Sequence, residues 1–141
     1  MKLLYTANAS ANGGGRDGLA RTDDGRVTVT LAPPPELGGS GKGTNPEQLF
    51  ATGYAGCYLG AMRHAAGAAK IAMPEAATVS SHVSIGARDD EKGFGIAVTL
   101  DVNLPGMTKA AAEDLAARGH VVCPYSHSIK GNVTVTTNVS V

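Results

Sequence analysis

Thr44-Asn45-Pro46-Glu47-Gln48-Leu49-Phe50-Ala51-Thr52-Gly53-Tyr54-Ala55-Gly56-Cys57-Tyr58-Leu59-Gly60-Ala61-Met62 is the stretch whose reading decides the fold. Asn45 suits an N-cap, Pro46 the first helical position and Gln48 the third, so a helix starts here. Its composition carries it to about Ala69. The 15 residues from Gln48 to Met62 bear no charge, yet they fall short of the roughly 20 needed to span a bilayer. The segment therefore reads as a buried helix. A helix that is apolar all round must be covered on every side. A 141-residue chain with few strands has little to cover it with. A homodimer in which two such helices share one core is the expectation.

Working outward, residues 77–87 and 93–104 read as strands joined by the charged turn Arg88-Asp89-Asp90-Glu91-Lys92. Thr108 caps a second helix running to about Gly119, and Asn132 to Val141 alternates as a closing strand. Upstream, residues 2–9 read as a strand. Gly13-Gly14-Gly15-Arg16-Asp17-Gly18 is a turn whose glycines permit unusual dihedrals. Residues 18–22 and 26–31 flank Asp23-Asp24-Gly25, a hairpin signal. Pro33-Pro34-Pro35 ends that sheet run and opens a loop to about Thr44. The order βββ-α-ββ-α-β predicts an α+β protein with antiparallel sheets packed around a buried central helix, in a single domain 1–141.

Twelve basic and twelve acidic residues cancel. With no basic stripe, neither nucleic acid nor an anionic membrane surface is an expected partner. Four Tyr, two Phe and no Trp leave the core to small residues, since Ala and Gly are abundant. The start Met1-Lys2-Leu3-Leu4-Tyr5-Thr6 turns polar before an apolar signal region develops, so a cytoplasmic location is expected. A stable structural disulfide is not expected in that compartment. Two cysteines there are either inert core residues or working thiols.

Cys57 lies among Gly53, Gly56 and Gly60. Each glycine costs about 1 kcal/mol in a helix interior, roughly 3 kcal/mol together. Close backbone packing or open space beside the sulfur would compensate. Cys57 also fits as a small buried hydrophobe. The second cysteine sits in His120-Val121-Val122-Cys123-Pro124-Tyr125-Ser126, after the second helix. Two cysteines brought together from 66 residues apart suggest redox chemistry more than stapling or metal storage. A zinc site from His120, Cys123, His127 and Cys57 is the competing reading, but its spacing is loose and Pro124 interrupts any helix aligning the ligands.

These motifs carry a resemblance. Leu4-Tyr5-Thr6-Ala7, Gly14-Gly15-Arg16-Asp17-Gly18, Gly43 to Phe50, Gly53-Tyr54-Ala55-Gly56-Cys57, Gly93-Phe94-Gly95, Leu104-Pro105-Gly106, His120 to Ser126 and Gly131-Asn132-Val133 occur in an order similar to the organic hydroperoxide resistance branch of the OsmC superfamily. His127-Ser128-Ile129-Lys130 departs from the more usual Asn-Ala-Thr-Arg of that branch. The resemblance implies an intertwined homodimer and a thiol peroxidase that reduces organic hydroperoxides to alcohols. It implies Cys57 as peroxidatic and Cys123 as resolving cysteine, with Arg16 and Glu47 as partners of Cys57. The implied electron donor is dihydrolipoamide, free or on a lipoylated protein, and no cofactor or metal is implied.

The residue types suit those roles. A thiolate attacks peroxide oxygen, and a free thiol with a pKa of about 8.5 needs a nearby cation. Arg16 stays charged and offers a planar fork of donors, although in isolation it reads as a solvated turn residue. Glu47, favoured by the helix dipole, would fix that fork. Ten residues put Glu47 about 15 Å from Cys57 along a straight helix, which favours Glu47 acting from the other subunit. Tyr125, Phe94 and Met62 are candidates for the wall of an alkyl pocket. Rival readings are the sister OsmC subgroup of osmotic or general stress, a non-enzymatic redox sensor, and the zinc protein above.

Overall fold

A computed structural model describes all residues, 1–141. The chain packs as two compact units, Met1–Leu49 and Phe50–Val141.

The first unit is a meander of β1 (Ala9–Gly13), β2 (Gly18–Thr22) and β3 (Thr28–Thr30). β1 pairs antiparallel with β2 from Ala9↔Thr22 to Gly13↔Gly18. Gly13 and Gly15 hold φ of 67° and 69° in the connecting turn, which side-chain-bearing residues rarely adopt. A Cβ on Gly18 would stand 2.0 Å from the Asn12 carbonyl oxygen, so only glycine fits. In the next turn the Asp24 carboxylate accepts from the Thr22 hydroxyl at 2.7 Å and the Arg26 N–H at 3.1 Å. The strand expected at residues 2–9 instead begins at Ala9. The five pairing positions of β2 are taken by Ala9–Gly13, so residues 1–8 have no strand of the chain beside them.

After the prolines a 3-10 turn (Pro35–Leu37) leads back to β3. Ala32 N–H donates to the Thr44 carbonyl and Thr44 N–H to the Thr30 carbonyl, both at 2.9 Å. That tie fixes the start of α1 (Pro46–Ala69). Gln48 N–H donates to Asn45 Oδ1 at 2.9 Å, and Asn45 N–H donates to Gln48 Oε1 at 3.1 Å. This reciprocal pair is the capping box expected from the sequence.

The second unit holds the core. α1 turns Tyr54, Tyr58, Ala61, Met62, Ala65 and Ala66 inward. Its opposite face, with Thr52, Gly56, Gly60 and Arg63, is exposed. Burial on every side, expected from the uncharged run, is thus not achieved by one chain. β4 (Thr78–Ala87) and β5 (Phe94–Asn103) pair antiparallel from Thr78↔Asn103 to Ala87↔Phe94. β5 sends Val98, Leu100 and Val102 into the core by strict alternation.

Two features correct the expected order. β6 (Val135–Ser140) runs parallel to β5, from Val98↔Val135 to Asn103↔Ser140, so the sheet is not wholly antiparallel. The reason lies in the connection, which is a helical crossover rather than a hairpin. It contains α2 (Lys109–Val122), capped by Thr108, and a further short helix α3 (Pro124–Ile129) absent from the expected order. Pro124, read as an interruption, occupies the first position of that helix. There its missing N–H costs nothing and its φ is already helical.

α2 lies close on α1. Tyr58 Oη donates to the Ala116 carbonyl at 2.6 Å. A Cβ on Gly119 would meet Met62 Cγ at 2.6 Å and Tyr58 Cζ at 3.3 Å, and both side chains are fully buried. Gly119→Ala is therefore expected to destabilise the protein by about 1–3 kcal/mol through overpacking. Urea unfolding checks this. An unchanged midpoint would show that the helices can part without cost.

Candidate active site

Cys57 sits in the middle of α1 and is half-buried, while Cys123 is fully buried between α2 and α3. Both are free thiols with their sulfurs 3.5 Å apart. A disulfide bond is about 2.05 Å long, so bonding needs the sulfurs to approach by about 1.5 Å. Cys123 ends α2 and caps α3, its backbone N–H donating to Gly119 and its side chain accepting from Ser126 N–H at 3.5 Å. The Tyr125 backbone N–H favours the Cys57 thiolate. The first turn of α3 thus brings backbone N–H groups to the thiol pair.

Burial pushes the Cys57 thiol pKa up, and the neighbouring Cys123 sulfur adds to that. The Tyr125 N–H opposes the rise without cancelling it. Burial likewise raises the Tyr54 and Tyr58 phenols and lowers the His120 imidazole, which is neutral at pH 7.

A polar chain runs behind the thiols. Ser126 Oγ lies 2.8 Å from Tyr54 Oη and 3.0 Å from His120 Nδ1. His120 Nε2 lies 2.8 Å from Thr137 Oγ1 on β6, and the imidazole packs on the Tyr58 ring at 4.6 Å between centroids. Both ring nitrogens of His120 are thereby engaged by hydroxyls, and no group of three or more His, Cys, Asp or Glu is placed to hold a metal. The zinc reading finds no ligand set here.

The glycines around Cys57 divide as follows. A Cβ on Gly53 would touch the Tyr125 hydroxyl at 3.1 Å, so this glycine serves close packing. Gly56 and Gly60 have open space where a Cβ would stand. Tyr125 leans on Phe50 and Tyr54, with centroids at 5.6 and 5.9 Å, and remains partly exposed. Phe94 is exposed at the start of β5, on a groove with Ile85, Ile96, Ile129 and Val133 that contains neither cysteine. Met62 is fully buried in the core and forms no open wall. Its expected pocket role yields to packing against Gly119.

In the first unit, Arg16 Nη2 pairs with Glu47 Oε2 at 2.6 Å, with the Arg16 side chain 44% and Glu47 14% exposed. The glycine turn between β1 and β2 carries Arg16 to the first turn of α1, so the two residues pair within one chain. The Arg16–Glu47 pairing itself needs no second subunit.

Tyr54, Ser126 and the paired role of His120 were not singled out from the sequence. One signal was available. Cys123-Pro124 is a capping residue followed by proline, which starts a helix and turns Ser126 N–H back onto the cysteine.

The chain is an α+β protein whose two free cysteines meet across a helix pair. The sequence profile of the family described as OsmC-like protein matches residues 39–138. An organic hydroperoxide resistance protein of Xanthomonas axonopodis pv. citri is 46% identical over 140 residues, covering 99% of this chain and 96% of that protein. The crystal structure of an organic hydroperoxide resistance protein from Legionella pneumophila matches with TM-score 0.94 and 49% identity over 99% of this chain and all of the other. OhrB of Bacillus subtilis matches with TM-score 0.88 at 37% identity over 98% of this chain and all of the other. The chain belongs to the OsmC-like family, in its organic hydroperoxide resistance branch. No helix is long and apolar enough to cross a membrane.

Proposed function

We propose that this protein is a two-cysteine peroxidase that reduces organic hydroperoxides to alcohols. The observation that carries the proposal is the pair of reduced sulfurs 3.5 Å apart, in a chain whose relatives are named for organic hydroperoxide resistance. The Cys57 thiolate attacks the terminal peroxide oxygen. The O–O bond breaks, the alkoxide takes a proton and leaves as alcohol, and Cys57 becomes a sulfenic acid. Cys123 then attacks that sulfur. The S–S bond forms, the S–O bond breaks, and hydroxide leaves with the Cys123 proton as water. A dithiol returns both cysteines to thiols by exchange.

Arg16, oriented by Glu47, favours the Cys57 thiolate in this scheme. Burial alone leaves Cys57 protonated near neutral pH, so a cation has work to do there. Tyr125, packed over Gly53 one turn before Cys57, contributes to binding the alkyl part of the substrate. The family resemblance supports dihydrolipoamide, free or on a lipoylated protein, as the reductant, and a reducing cytoplasm suits free thiols. A second copy of the chain covers the exposed face of α1 around Gly56 and Gly60, giving a homodimer. No cofactor enters the cycle.

Two experiments test this. Cys57→Ser is expected to abolish turnover of cumene hydroperoxide with a dithiol donor. Cys123→Ser is expected to react once and stop with Cys57 oxidised, read by mass spectrometry after one equivalent of peroxide. An unmodified Cys57 in the second variant would contradict the division of labour. For the ion pair, Arg16→Ala should raise the Cys57 pKa and slow sulfenate formation greatly. Glu47→Ala should slow it only while Arg16 is present, because a carboxylate by itself disfavours a nearby thiolate. A double-mutant cycle on that rate measures the coupling. Additive effects would remove the orienting role of Glu47.

A further inference from the structure

The buried chain Tyr54–Ser126–His120–Thr137 has one consistent ordering of its protons. Tyr54 is fully buried, and its hydroxyl has Ser126 Oγ as hydrogen-bond partner. Its O–H therefore donates to Ser126. The single Ser126 proton must then go to His120 Nδ1, which accepts, and Nε2–H donates to Thr137. The opposite tautomer would aim Nδ1–H at Ser126 Oγ and leave either the Ser126 or the Tyr54 O–H without an acceptor. A protonated imidazole would do the same.

The same Ser126 donates its backbone N–H to Cys123 Sγ, and the backbone N–H of its neighbour Tyr125 favours the Cys57 thiolate. α3 has only six residues, too few to hold its first turn by helical bonding alone. Ser126 Oγ, gripped from α1 by Tyr54 and from α2 by His120, ties that turn to both longer helices.

Resting on the peroxidase reading above, we propose that His120 is a positioning residue for the thiol pair. Through its neutral Nδ1 it holds Ser126, and with it the backbone N–H groups at the thiol pair. His120 touches neither sulfur. Its charge state sets whether the turn is held, so closure of the disulfide weakens in acid. Burial keeps His120 below its ordinary value of 6.5, which places the transition on the acid side of that value. The ionisable groups around it are Tyr58 from α1, Lys109 and Glu113 on its own helix, and Lys130 beyond α3. β6 presents Thr137, Asn138 and Val139 to this side, none of them ionisable.

The test follows disulfide closure in the full-length reduced protein after mixing with diamide, which needs no peroxide chemistry, and in parallel with cumene hydroperoxide. His120→Phe keeps the ring packing without an acceptor, Ser126→Ala removes the hydroxyl, and His120→Asn puts a non-titrating Oδ1 in place of Nδ1. Loss of one charge-free hydrogen bond predicts closure slowed about tenfold in His120→Phe and Ser126→Ala near neutral pH. His120→Asn should recover most of the rate, and the ratio of wild-type to His120→Asn rates, in which the shared loss of thiolate cancels, should fall as the pH drops below 6.5. If His120→Phe does not fold, Ser126→Ala and the rate ratios decide. Wild-type closure rates in Ser126→Ala, or a wild-type to His120→Asn ratio that does not change with pH, would overturn the proposal. If the diamide results follow these expectations and the protein ignores the hydroperoxide, the peroxidase reading fails and the positioning role stands.

Discussion

Gly119 lets α2 lie against α1 closely enough for the Tyr58 hydroxyl to reach the Ala116 carbonyl at 2.6 Å. That approach carries Cys123, four residues further on, to within 3.5 Å of Cys57. Small residues recur in the same core, where Ala61, Ala65, Ala112 and Ala116 are all buried. A single methyl at Gly119 presses on this contact, because Met62 and Tyr58 have no free volume to yield into.

The electrostatics of the site pull in opposite directions. Burial protects the thiol pair from bulk solvent and raises the pKa of Cys57. Reactivity toward peroxide needs the thiolate. The Tyr125 backbone N–H supplies part of the compensation at Cys57, without introducing a charge that would have to be buried. The remainder falls, in the proposed scheme, to Arg16. Its ion pair with Glu47 restrains one long side chain between a glycine turn and a capped helix start. Neutral His120 fits this arrangement, because an imidazolium would need Ser126 to reverse its hydrogen bond to Nδ1.

Local features were legible in the sequence. The capping box at Asn45 and Gln48, the Gly13–Gly18 turn and the Thr108 cap each depend on a few adjacent residues, and each stands where it was read. Nonlocal choices were not. The parallel pairing of β6 depends on where a crossover returns the chain, which alternation cannot report. α3 is too short for periodicity, and Pro124 reads as a breaker unless Cys123 is recognised as its cap. The uncharged run in α1 suggested burial all round, whereas one chain covers one face. Motif resemblance pointed to Cys57, Cys123, Arg16 and Glu47, and the structure places them as two pairs. The hydroxyl–imidazole chain behind the thiols carried no motif, because Tyr54, His120 and Ser126 come from three separate helices.

The most direct measurement is a stoichiometric titration of the reduced protein with cumene hydroperoxide, without reductant, followed by free-thiol counting and peptide mass mapping under denaturing conditions. The sulfur geometry predicts that one equivalent removes both thiols of a chain, lowers its mass by two hydrogen atoms and yields a Cys57–Cys123 cross-linked peptide within that chain. Retention of the Cys123 thiol beside a singly or multiply oxygenated Cys57, or a disulfide joining two chains, would contradict it.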